Sequence, residues 1–151
     1  MIYRIFNSFF IGLAFVSLLD FLYFIGIKLN YFDFYKIREY FNVIFVDNQN
    51  FILLFLSCFI VGYLTLYSKF SKLFTRIYII TIFIAASSIY EPIGRYFGES
   101  EFMQKEQTFI LGNIKFQGNI LYKGRKYSYI YRNDLSKTIK LSNDEVLKIT
   151  Q

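Results

Sequence analysis

The chain has no histidine and no tryptophan, and only one cysteine and one proline among its 151 residues. Without histidine it lacks the usual general base near neutral pH, the commonest metal ligand and every Ser-His or Cys-His nucleophile pair. Histidine-ligated haem is excluded with them. The one thiol, Cys58, closes no internal disulfide and builds no zinc site. A phosphate-binding glycine-rich loop and a nucleophile elbow are missing too. The expectation is a non-enzymatic protein with no cofactor and no metal.

Apolar mass takes the place of that chemistry. Hydrophobic residues make up 55% of the chain, with 20 Phe and 14 Tyr, and they gather in three runs at about 6–27, 51–68 and 77–93. A membrane helix needs ~20 mostly apolar residues to cross ~30 Å of hydrocarbon. The first two runs come close to this. The third has fourteen uncharged residues, from Ile77 to Tyr90, or roughly 21 Å of helix. To cross it must continue through Glu91-Pro92, where Pro92 kinks or ends a helix for want of an N–H. The first run exceeds the about 7–15 residues of a signal-peptide core and lacks a small-residue cleavage pattern, so it reads as an uncleaved anchor.

Between the first two runs, segment 31–46 has a narrow polar stripe of Asp33, Lys36, Glu39 and Asn42 on an otherwise apolar wheel. That pattern fits an amphipathic helix in the membrane interface. Asp47-Asn48-Gln49-Asn50 then reads as a turn. Lys69, Lys72 and Arg76 crowd the short second loop without an acid. Positive-inside bias puts that loop and Arg4 in the cytoplasm of a bacterial inner membrane and the C-terminal part in the periplasm.

Past Gly98 a polar connector leads into period-2 segments at 108–111, 114–116, 120–122, 127–132 and 138–141. Gly112-Asn113, Gly118-Asn119 and Asn133-Asp134 mark turns, and Gly124-Arg125 suits a type II′ hairpin. Tyr127, Tyr129 and Tyr131 would line one face. The C-terminal stretch from Ser142 reads either as a capped helix or as a closing strand. The expected fold is three transmembrane α-helices and an interfacial helix (1–96), followed by a small antiparallel β module (97–151). So small a sheet, lacking disulfide or metal, is marginal without support.

Asp20 is the sharpest single residue, because an acid within hydrocarbon costs at least ~2.5 kcal/mol and tends to face a bundle interior, a partner or water. Ser17, one turn earlier, is placed to hydrogen-bond it. Glu91 and Arg95 form an i,i+4 pair at the end of the third run. Cys58, Gly62 and Thr65 share a small-residue face of the second run, as Thr81, Ala85 and Ser88 do in the third. Such faces let membrane helices approach closely, and a hairpin of these two helices is the plain expectation.

The expected function is that of an accessory protein which stabilises, assembles or regulates a larger inner-membrane complex, such as a flagellar stator, a respiratory complex or a secretion apparatus. A small oligomeric channel using Asp20, or a toxin-immunity protein, is the alternative. Expected partners are a larger integral membrane protein or a second copy of the chain (a homo-oligomer). Anionic lipid headgroups suit the basic strand region, in preference to nucleic acid.

Overall fold

A computed structural model of the chain describes residues 2–111, 114–144 and 147–148. Helix α1 (Ile2–Ile27) continues into a π-helical turn, Lys28–Phe32. Helices α2 (Phe41–Asn48), α3 (Phe51–Leu66), α4 (Ser71–Ser87) and α5 (Glu91–Phe102) follow. Strands β1 (Gln104–Leu111), β2 (Ile114–Lys123), β3 (Tyr127–Arg132), β4 (Lys137–Ser142) and the two-residue β5 (Leu147–Lys148) complete the chain. They form one antiparallel sheet in the order β4-β3-β2-β1-β5.

Helix α1 with its π turn is the one helix among the described residues long and apolar enough to cross a membrane. α2 with α3, and α4 with α5, meet that length and composition only as bent pairs, folded by 80° and 91°. The third run is therefore broken where its shortness and its proline foretold. α4 stops at Ser87, and Pro92 opens α5 in the first turn, where a missing N–H costs nothing. α3, α4 and the start of α1 carry their apolar side chains outward, with Ile52 81% and Phe83 71% exposed.

No continuous helix occupies 31–46. The π turn ends in a Schellman motif: Ile37 N–H reaches Phe32 O at 2.8 Å and Lys36 N–H reaches Asp33 O at 3.1 Å. Lys36 takes the left-handed conformation at φ 57°. Phe32 and Ile37 are buried together. This hydrophobic closure outweighs the helical periodicity of the segment, which is helical only at its start, in the π turn, and in α2.

Helix α1 is the spine. Near its start, Asn7 donates to the Tyr67 hydroxyl at the end of α3 (3.3 Å), and farther along Asp20 meets Gln49 ahead of α3, so the two helices are antiparallel. A Cβ on Gly62 would lie 1.7 Å from Ser8 O, and one on Gly12 would lie 1.7 Å from Cys58 O. Only glycine allows that approach. α4 joins the other side of α1 through Tyr78, which stacks on Phe15 at 4.5 Å and donates to its carbonyl at 2.9 Å. The small-residue faces thus meet α1 in the first instance. Cys58 and Gly62 abut Ser8 and Gly12, while Ser88 abuts Gly26 and donates to Leu22 O at 3.2 Å. Small-xxx-small spacing occurs in α1 as well (Ser8, Gly12), and that extra face takes α3, while Gly26 farther along α1 admits Ser88.

The sheet has two buried faces. Phe109, Phe116, Ile120 and Ile130 pack on one, joined by Ile139 and Leu141. On the other, Leu121, Tyr122 and Tyr129 share a cluster with Ile27, Tyr31, Phe32, Ile37 and Ile44 of the helical part. A bulge in β2 makes both possible. Ile120 pairs Ile130 and Tyr122 pairs Tyr129, leaving Leu121 extra and turning Tyr122 to the opposite face from Ile120. β2 runs unbroken through Gly118-Asn119, which is no turn. A Cβ on Gly118 would come within 2.7 Å of Tyr131 O, and Asn119 Oδ1 accepts from Glu106 N–H, which sits at φ 55° in the bulge of β1.

The expected polar connector is instead the end of α5 and the start of β1, so a boundary at 96/97 falls inside a helix. The hairpin over Gly124-Arg125 is present, with Gly124 N–H on Tyr127 O at 2.9 Å. However, Gly124 does not adopt the left-handed φ of a type II′ turn. The Gly112-Asn113 turn and most of the segment after Asp144 lie outside the described residues. Within the latter, Leu147–Lys148 pairs with β1 as a strand.

Candidate functional site

Four consecutive polar residues organise the bend between α2 and α3. Asp47 forms an ion pair with Arg125 in the β2–β3 turn. The Asn48 amide donates to Ile44 O at 2.8 Å and closes α2. Gln49 Nε2 donates to Asp20 Oδ2 at 2.9 Å. Asn50 caps α3, its side chain accepting from Leu53 N–H at 3.1 Å. The sequence pattern marks this run as a turn. In the fold it fastens α1, α3 and the sheet to one corner.

Asp20 thus faces into the molecule, half-buried, along a cavity of 280 Å³ lined also by Tyr23, Gln49, Ser57 and Glu101. Ser17 lies exposed and is not its partner. A neutral amide donor satisfies one carboxylate oxygen at modest cost, since a hydrogen bond to a charged group contributes about 1.5–3 kcal/mol. The signal for Gln49 was its place in a polar run at the end of an apolar span, but nothing in the spacing pairs it with Asp20.

The second corner lies between α4 and α5. Asn30, in the π turn, donates from one amide to Ser88 O and to Ile89 O, both at 2.9 Å, and so satisfies carbonyls at the end of α4. Ser88 Oγ is fully buried and also bonds Ala85 O at 2.7 Å. Glu91 and Arg95 pair as their spacing predicts, and the Arg95 guanidinium lies over the Phe34 ring at 3.6 Å. Gly94 and Gly98, four residues apart on α5, clear the way for Asn30 and Tyr31: a Cβ on Gly98 would lie 2.3 Å from the Tyr31 ring. That second glycine pair was legible as small-xxx-small spacing.

From this corner, tyrosines reach the sheet. Tyr31 donates to Leu121 O at 2.8 Å, Tyr129 to Arg38 O at 2.9 Å and Tyr35 to Glu99 at 2.8 Å. Tyr127, Tyr129 and Tyr131 share one face of the unbroken β3, as expected: Tyr129 and Tyr131 pack against the helices, while Tyr127, beyond their cover, stays 41% exposed beneath Lys140. Burial, and then the bonded carboxylate of Glu99, push the Tyr35 phenol up to about 12. Burial, and then the negative charges of Asp47 and Glu39, push Tyr122 up to about 12 as well.

Of the remaining candidates, Thr65 and Thr81 spend their hydroxyls on their own helices, on Val61 O at 2.8 Å and Ile77 O at 2.9 Å. Ala85 is buried against the spine beside Asp20 and Tyr23. In the basic strand region, Arg125 and Arg132 are engaged, by Asp47 and Asp134 respectively. Among the described residues no group of three or more acidic or sulfur side chains could hold a metal ion. No family model, curated protein or solved structure matches the chain.

Proposed function

We propose that the chain is a non-enzymatic accessory subunit of a bacterial inner-membrane assembly. It spans the membrane three times and holds its sheet as a rigid platform on one side. α1, α3 with its bend and α4 with its bend form the spans, with α2 and α5 lying across the interface. The outward-facing apolar side chains of α3 and α4 support this reading, because in lipid they need no cover, whereas in water so large an apolar surface marks a site awaiting a partner.

The observation that carries the functional part is the shared core. Leu121, Tyr122 and Tyr129 of the sheet are packed with Ile27, Tyr31 and Ile44 of the helical part. A hinged sensor or a gate needs two discrete arrangements of packed elements, and one continuous cluster with ion pairs at its rim favours a fixed adapter. The glycine contacts bring α3 and the end of α4 each close against α1. Asp20, held by Gln49, supports internal pairing over a pore-lining role.

Purification of the tagged chain from membranes in mild detergent, with stoichiometry read by quantitative mass spectrometry, tests the proposal. One larger membrane protein at a fixed ratio, whose abundance falls when the chain is deleted, is the expected result. A homo-oligomer of several copies with no other protein would replace the adapter by the channel reading.

A further inference from the structure

The end of the helices away from the sheet is uniformly basic. Residues 1–19 and 50–90 contain Arg4, Lys69, Lys72 and Arg76 and not one of the chain's 11 acids. The other 13 of its 17 cations share the remainder of the chain with every acid. Arg4, with no carboxylate partner among the described residues, lies over the Tyr67 ring at 5.5 Å. That contact and the Asn7–Tyr67 hydrogen bond bring the start of α1 to the end of α3, next to the loop that carries Lys69.

Beside this end a groove of 610 Å³ opens between α1 and α3, walled by Ile5, Phe59, Ile60, Tyr63 and Leu64, with Arg4 on its lining. The groove includes Ser8, buried at the seam with α3, in its lining. Its size is that of a ligand pocket, roughly 300–1,000 Å³. Apart from Arg4 and the buried Ser8 its lining is apolar or aromatic.

We infer that this groove binds one anionic phospholipid, an acyl chain lying along Ile5, Phe59 and Ile60 and the phosphate meeting Arg4. The occupant follows from charge. A purely basic helix end faces the anionic cytoplasmic leaflet, guanidinium pairs phosphate in a fork, and an apolar slot beneath it accepts hydrocarbon. Tyr63 and Tyr67 lie at headgroup level, where tyrosine gathers. The inference rests on the membrane reading and names the side of the membrane on which the lipid sits.

Native mass spectrometry of the full chain in mild detergent, titrated with phosphatidylglycerol or phosphatidylcholine, tests it. The expected result is one phosphatidylglycerol retained per chain under conditions that strip phosphatidylcholine. Arg4→Gln should lower that retention roughly five-fold, the effect of one surface cation. Ile60→Trp, which fills the groove, should abolish it, and Lys105→Gln at the sheet end should leave it unchanged. Equal retention of the two lipids, an Arg4→Gln chain that behaves as wild type, or a lipid-free dimer dissociated by Ile60→Trp would overturn the site. Alkaline carbonate extraction separates the two levels. A chain that stays with the membrane yet retains no phosphatidylglycerol refutes the site alone, and a chain that is released refutes the membrane reading with it.

Discussion

Lys36 stands at φ 57° in a position that glycine fills with less strain. Its neighbours compensate, since the Schellman bonds close over the buried pair Phe32 and Ile37. Lys36→Val is expected to lower stability by roughly 1 kcal/mol or more, because a β-branched residue is worse off in that region. Lys36→Gly should be at least as stable as wild type, and thermal unfolding in detergent reads both. If Lys36→Val melted with wild type, the left-handed turn would be absent. Tyr35 and Tyr122 provide a second residue-scale test. Both phenols ordinarily titrate at 10.0 and are raised to about 12 in the fold. An acid whose folded pKa is raised prefers its neutral form there. Its contribution is therefore complete below pH 10 and is lost as pH climbs toward 12. Alkaline unfolding followed through phenolate absorbance should begin in that window, and Tyr35→Phe should remove part of the loss. Unfolding that Tyr35→Phe left unaltered would count against the Tyr35–Glu99 bond. None of this was legible in the sequence, where Tyr35 and Glu99 are 64 residues apart and Lys36 reads as one step of a helical stripe.

At the scale of elements, what the sequence disclosed was period and punctuation. Alternation located β3 and β4, and the proline marked the bend before α5. Small residues at four-residue spacing announced close helix contact, but not which helix would be the partner. Ser8 and Gly12 carry that answer, and they sit in a run whose hydrophobicity hides them. Gly62→Leu should force α3 away from α1, since even a Cβ there meets Ser8 O at 1.7 Å. A cost of about 3 kcal/mol or more follows from overpacking that neither backbone can relieve. Thr65→Val, on the same face, should be nearly neutral, because the Thr65 hydroxyl serves only its own helix. Thermal unfolding distinguishes them, and a Gly62→Leu protein as stable as wild type would mean that α1 and α3 are not in contact at this seam.

Considered as a whole molecule, the chain is a helical part and a sheet that complete each other's core. Composition hinted at the need, since a sheet this small is marginal alone. The means were hidden in contacts across 90 residues, such as Tyr31 with Leu121. The fragment 104–148 should accordingly fail to fold when expressed without the helices, with Tyr122 and Tyr129 left uncovered. A well-dispersed amide spectrum from that fragment would show the sheet to be independent. The central claim is that three spans separate the basic α3–α4 turn from the sheet. Lys72 in the α4 start and Lys126 in the β2–β3 turn are both exposed and mark the two sides. With Cys58 replaced by serine, single cysteines at 72 and 126 are labelled with a membrane-impermeant maleimide in intact spheroplasts and again after permeabilisation. The account predicts labelling of Lys126→Cys in both states and of Lys72→Cys only after permeabilisation. Equal labelling of the two positions in intact spheroplasts would contradict it.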